Sequence, residues 1–267
     1  MSALPTREVE KPWGRDALPP PFVAPAGKRI GEVWFEPPPE LPSLLVKYIF
    51  TSEKLSIQVH PDDDQARAAG NGANGKEECW LVIDAEPGAT LGVGFHRNVG
   101  ADEMRAAALD GSIEDLLVWH PVRAGDFFYI PAGTVHAIGA GVSLIEVQQN
   151  ADITYRLYDY GRPRELHLDE GIAVAKGKPH DPALRRQVPE HGTVKLADGR
   201  YFALDRLEGE PNSSLGAEYA GPLLVIPLED AVRIGEARID PGECGYAAGI
   251  GEVAFARAGR CLIARPK

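Results

Sequence analysis

The segment Ser56-Ile57-Gln58-Val59-His60-Pro61-Asp62 sets a hydroxyl, an amide and an imidazole at alternate positions of an otherwise apolar stretch. In an extended strand those three side chains share one face. Lys76 and Glu78 repeat that parity in Gly75-Lys76-Glu77-Glu78-Cys79-Trp80, and His136 follows in Ile130-Pro131-Ala132-Gly133-Thr134-Val135-His136-Ala137. Two imidazoles and one carboxylate on a rigid β scaffold suit a catalytic divalent metal with an open position. Either histidine alone would more often be a satisfied core residue, and it is the clustering of polar groups on apolar strands that favours a metal. His96, His120, His167, His180 and His191 have no partner at ligand spacing and read as lying outside any site. The run Asp62-Asp63-Asp64 lacks the downstream Gly and Glu of a calcium loop and reads as a helix N-terminus.

The elements that must position these groups are short. With 29 Gly and 23 Pro the chain is heavily punctuated, which favours many strands over long helices. Strand patterns fall at 43–50, 54–60, 77–84, 126–131, 134–138 and 142–149. Residues 101–118 have apolar side chains near helical spacing, interrupted by Gly111-Ser112, so two short helices are expected; a further helix is expected over 168–176. The Pro-rich residues 1–43 read as an irregular wrap. The expected fold is mainly β, a cupin or jelly-roll barrel with a small helical insertion and a second, smaller β domain. The expected divisions are 1–176 for the metal-binding catalytic domain, 177–200 for a polar linker and 201–267 for a degenerate cupin-like unit. That last unit has no metal-type cluster and serves as structural support or as an oligomer interface, a homodimer being one allowed assembly.

The formal net charge of −11 argues against nucleic acid or an anionic membrane as partner, since both need a dense positive footprint. It leaves room for an anionic small molecule, which a few clustered cations can hold. No apolar run is long enough to span a bilayer, the first sixteen residues do not read as a secretory signal, and Cys79, Cys244 and Cys261 lack CxxC spacing. A reducing cytoplasmic location is expected, with the thiols as small buried hydrophobes.

Four segments, in order, make the sequence recognisable: Ser56 to Asp62, Gly75 to Trp80, Ile130 to Ile138, and Gln149-Asn150-Ala151-Asp152-Ile153-Thr154-Tyr155-Arg156. Together they resemble the type I mannose-6-phosphate isomerases over roughly residues 10–165. The resemblance implies a divalent metal, zinc foremost, held by Gln58, His60, Glu78 and His136, with Lys76, Glu146 and Arg156 at active-site positions. Lys11-Pro12-Trp13-Gly14 and Gly31-Glu32-Val33-Trp34 also look familial and read as structural. Glu77, which replaces a proline common in longer relatives, should face away from the site.

The reaction so implied moves a proton between C1 and C2 of mannose 6-phosphate and fructose 6-phosphate through a cis-enediolate. A divalent ion with a single carboxylate ligand stabilises negative charge on the sugar oxygens, and neutral Gln58 preserves that Lewis acidity. Arg156 offers a planar fork for the phosphate, Lys47 or Lys76 a point charge and Ser56 a hydroxyl; Lys76 also serves the proton transfers of ring opening. Glu146 is the residue expected nearest the proton-transfer step. A three-residue turn at Gly139-Ala140-Gly141 would pair 136 with 144 and 134 with 146, so that Thr134, His136, Leu144 and Glu146 share a face. Burial beside Ile145 and Val147 would then raise its pKa toward neutrality. The competing role for Glu146 is a structural ion pair. Two other functions compete: a metal-dependent cupin oxygenase, and a non-enzymatic sugar-phosphate-binding cupin.

Overall fold

A computed structural model describes residues 3–267. The alternating patterns between residues 44 and 149 become two antiparallel sheets that face one another. The strands are β1 (Thr6–Arg15), β2 (Ile30–Phe35), β3 (Leu44–Phe50), β4 (Ile57–Val59), β5 (Glu78–Ala85) and β6 (Thr90–Phe95). They continue as β7 (Leu117–Pro121), β8 (Asp126–Ile130), β9 (His136–Ile138), β10 (Val142–Gln149), β11 (Tyr155–Tyr158) and β12 (Arg185–Gln187). One sheet has the order β1-β2-β3-β10-β5-β8-β12 and the other β11-β4-β9-β6-β7. This is a cupin jelly roll, as the sequence implied.

Four helices punctuate it: α1 (Asp63–Ala68), α2 (Ala101–Asp110), α3 (Ile113–Leu116) and α4 (Leu168–Val174). The acidic run starts α1, where Asp62 and Gln65 form a reciprocal capping box at 2.9 and 3.0 Å. Gly111 ends α2 with φ 88°, a left-handed cap that splits the expected helical stretch in two. Leu117 and Val118, placed at the end of that stretch by periodicity, instead open β7.

Three apolar layers hold the arrangement. Between the two sheets lie Trp13, Ile49, Trp80, Val82, Leu91, Val93, Phe128, Ile138 and Leu144. The outer face of the five-stranded sheet is covered by helices, with Ile57, Val59, Val135 and Leu157 against Met104, Ala108, Ile113 and Val174. The outer face of the seven-stranded sheet, with Val46, Tyr48, Cys79, Leu81 and Ile145, packs on Leu204, Leu224, Leu262 and Ala264 of the C-terminal unit. All eight residues of β10 are therefore buried, because the strand is covered on both faces.

Two expectations change. Residues 1–43 are not an irregular wrap: β1 and β2 extend the large sheet at its edge. Residues 177–200 contain β12, which pairs with β8, and Val194–Asp198, which pairs with Phe202–Glu208 of the C-terminal sheet. The polar composition of the segment hid both strands, since each lies at a sheet edge.

Candidate metal centre and active-site cavity

β4, β5 and β9 bring His60, Glu78 and His136 together, and their ligand-type atoms all lie within 4.8 Å of one another. Glu78 Oε2 is 3.6 Å from His60 Nε2, and Glu78 Oε1 is 3.4 Å from His136 Nε2. The three residues are at most 2% exposed. The Nδ1 of His60 lies 2.7 Å from the Ile153 carbonyl and that of His136 lies 2.9 Å from the Thr134 carbonyl. A carbonyl oxygen only accepts, so Nδ1 carries the proton in each ring and Nε2 offers a lone pair to the cluster. Burial, with the Lys76 charge adding to it, holds His60 well below the usual imidazole range. Burial likewise lowers His136 to about 4, so both rings are neutral at pH 7.

The buried Glu78 carboxylate has the Lys76 ammonium 2.7 Å from Oε2, and no donor other than that ammonium reaches either oxygen. A carboxylate left in that state beside two neutral imidazoles is the donor set a divalent ion would complete. Burial raises the Glu78 pKa first, and the neighbouring Glu146 charge adds to it against the pull of Lys76. Gln58 is adjacent, but it presents its Nε2 to His136 Nε2 at 3.3 Å while its Oε1 accepts from Ser56 Oγ at 3.1 Å. A half-turn of the amide would bring the oxygen to the cluster and let the nitrogen face the hydroxyl.

Beside this group opens a cavity of about 340 Å³. Gln58 and Lys76 line it and stand between it and the histidines; Ser56, Lys47, Trp80, Glu146 and Arg156 also contribute to its walls. An ionic chain crosses its floor. Lys76 Nζ lies 3.2 Å from His60 Nε2 and 3.9 Å from Glu146 Oε1, and Lys47 Nζ lies 3.3 Å from the same oxygen. The Trp80 indole donates to Glu146 Oε2 at 3.0 Å, and Lys47 sits over the Trp34 ring at 4.2 Å.

Glu146 differs from the expectation in both its strand pairing and its ionisation. His136 pairs with Gln58 and Val93, whereas Leu144 pairs with Ile49 and Val82, so β9 and β10 lie in opposite sheets and form no hairpin. Gly139-Ala140-Gly141 is the corner between them, pinned by Thr90 O at Gly139 N and by Thr51 O at Gly141 N. A side chain at Gly139 would meet Thr90 O at 2.4 Å. Glu146 still faces the interior, now from across the cavity. Its pKa moves down rather than toward neutrality: burial pushes it up, but the Lys76 and Lys47 charges outweigh burial. Lys76, in turn, is held charged, since Glu146 and Glu78 outweigh the burial that would lower it.

Several lining residues escaped the sequence reading. Lys11, Trp13 and Glu32, which read as structural, and His167, which reads as lying outside any site, all line the cavity, as do Asp152, Thr154 and Arg164. Glu10 and Arg15 both pair with Ile30, so residues 11–14 leave the ladder and fold toward the site. A Cβ at Gly31 would lie 2.7 Å from side-chain atoms of both Lys11 and Trp13, so the bare backbone there admits them. Glu32 among the wholly buried residues of β2 was the readable signal.

Two facing sheets with a buried His–Glu–His group suited to a divalent ion define a cupin of the metal-site class. No family model matches the chain. It is 38% identical over 213 residues to mannose-6-phosphate isomerase of Bacillus subtilis, an alignment covering 76% of this chain and 65% of that relative. A mannose-6-phosphate isomerase of Streptococcus mutans is 38% identical over 214 residues, with the same coverage of 76% and 65%. The crystal structure of the mannose 6-phosphate isomerase from Bacillus subtilis superposes with a TM-score of 0.80 at 25% identity, covering 99% of both chains. The chain is similar to mannose-6-phosphate isomerases in sequence over about three quarters of its length and in fold over nearly all of it. It covers just under two thirds of the length of these curated relatives. Phosphomannose isomerase from Salmonella typhimurium, at 16% identity and a TM-score of 0.77, shares the fold.

Proposed function

We propose that this chain is an aldose–ketose isomerase that interconverts mannose 6-phosphate and fructose 6-phosphate with a bound divalent metal, zinc foremost. The observation that carries the proposal is the buried His60–Glu78–His136 group beside a cavity lined by several cations. Kinship with enzymes named for this reaction supports the same reading. His60, Glu78 and His136 would hold the metal, with Gln58 as a fourth ligand after its amide turns; the ion would supply Lewis acidity toward the sugar oxygens.

The remaining chemistry belongs to the chain. Glu146 is ionised, with Lys47 Nζ 3.3 Å from its Oε1 and the Trp80 indole on its Oε2. It is the carboxylate best placed to take a carbon-bound proton. Lys47 and Lys76 keep it ionised and put positive charge next to where oxygen becomes negative. That charge lowers its basicity, so position rather than a raised pKa would make it effective. Ser56 orients Gln58, and Arg156, half-buried at the rim, would receive the phosphate.

Three free buried cysteines fit a cytoplasmic protein, and among the described residues no helix is long and apolar enough to cross a membrane. We take residues 1–176 as the catalytic unit and 201–267 as its buttress. The ionised Glu146 and the charged Lys76 favour isomerase over oxygenase chemistry, which has no use for them. Incubation with mannose 6-phosphate followed by NMR of the sugars tests the assignment: a ketose–aldose mixture is expected, and an unchanged aldose would contradict it.

A further inference from the structure

Two guanidinium groups line the cavity and feel each other's charge, those of Arg156 and Arg164. Among the described residues Arg156 has no carboxylate within 4.0 Å, and its one side-chain bond is Nη1 to the Glu165 carbonyl at 3.4 Å. Its pKa is lowered, by burial first and then by the Arg164 charge, as expected for like charges facing each other.

Arg164 is held differently. Its Nε donates to Asp159 Oδ2 at 2.6 Å and its Nη2 to Asp159 Oδ1 at 2.6 Å, a fork-to-fork pair that fixes the plane of the guanidinium. Asp159 is 2% exposed and also accepts from Arg162 Nε at 3.1 Å. Arg162 is tied in turn to the Lys54 carbonyl at 2.7 Å, so the carboxylate is anchored to the framework on its far side. A buried carboxylate that holds one arginine rigidly beside a second, unpaired one leaves a net positive pair at the cavity wall. Such a pair suits a tetrahedral dianion and not a neutral hydroxyl group.

We propose that Arg164 is a second phosphate-binding residue beside Arg156, and that Asp159 is its positioning residue. This rests on the phosphosugar reading above, which it extends to residues outside the recognisable motifs. Freezing Arg164 before the ligand arrives removes the entropic cost of ordering it, so Asp159 acts on affinity without touching the ligand.

The test is calorimetric titration of the intact protein with inorganic phosphate, alongside steady-state kinetics with mannose 6-phosphate. Arg164→Gln should weaken phosphate binding at least tenfold and Asp159→Asn severalfold, each raising KM with kcat nearly kept. Arg164→Lys should recover little, because an ammonium cannot pair bidentately with Asp159. Arg105→Gln, which removes an exposed arginine paired with Asp169 outside the cavity lining, should stay within about twofold of the unaltered protein. Phosphate binding that depends on Arg164 and Asp159 in a protein without isomerase activity would uphold this site while overturning the proposed reaction. Binding within twofold of normal in both Arg164→Gln and Asp159→Asn, an equal loss in Arg105→Gln, or no phosphate binding by the unaltered protein would overturn the inference.

Discussion

The Glu146 carboxylate lies 3.3 Å from the Lys47 ammonium, and neither side chain is more than 5% exposed. A pair so deep in the protein is costly to break, because removal of one partner leaves the other as a buried, uncompensated charge. Glu146→Gln strands Lys47, while Lys76 keeps Glu78 at 2.7 Å. The variant should keep its metal, lose solvent-deuterium exchange at C2 and lose about 3–5 kcal/mol of stability in chemical denaturation. Exchange near the normal rate would pass the proton-transfer role to Lys76. Unchanged stability would show that Lys47 is solvated.

Metal content should follow the triad. Glu78→Gln and His136→Ala should each lower bound divalent metal and activity together, as measured by elemental analysis beside turnover. Arg156→Ala should retain full metal while KM rises by the equivalent of roughly 1.5–3 kcal/mol of lost charge-assisted binding. Stoichiometric metal in the Glu78 variant would remove that carboxylate from the site.

How much of this was readable in the sequence can be judged from three cases. Ser56, Gln58 and His60 were legible because strand parity is local, and a polar residue at every second position of an apolar strand is conspicuous. Glu146 lines the cavity although the expected hairpin does not exist: parity shows which residues of one strand share a face but not which strand lies opposite. The corner at Gly139 to Gly141 depends on Thr51 and Thr90, distant in sequence. Lys11, Trp13 and Glu32 were missed because prolines masked β1, and because nothing local shows that residues 11–14 leave the ladder over a glycine.

That glycine gives a further prediction. Gly31→Ala puts a methyl group 2.7 Å from atoms of Lys11 and Trp13. Lys11 is met at its Cβ and Cγ, close to the backbone, and the Trp13 ring, 2% exposed, has little room. The cost should be about 1–3 kcal/mol of stability, with a raised KM as the rim shifts. A normal melting temperature with normal KM would show that segment to be more yielding than its packing implies.

For the metal-free protein, His136 sets a pH dependence. Its folded pKa of about 4 lies below the unfolded value of 6.5, so between these values the unfolded chain binds more protons. Stability from this residue is therefore complete above pH 6.5 and is lost on acidification toward pH 4, by up to about 3 kcal/mol. Glu78 acts in the opposite sense, since its raised pKa makes it cost stability as pH rises through about 4.5 to 7. Denaturation of the chelated protein and of chelated His136→Gln across this range separates the two. The stability advantage of the unaltered protein over the variant should shrink as pH falls from 6.5 to 4, and a constant difference would refute the assignment of a buried neutral imidazole.

The most direct measurement is a coupled assay for fructose 6-phosphate formed from mannose 6-phosphate, run on the purified protein before and after chelation and again after zinc is restored. The account predicts turnover that disappears with the metal and returns with it, and no comparable turnover of unphosphorylated mannose. Turnover untouched by complete metal removal, or none with any divalent ion supplied, would contradict it.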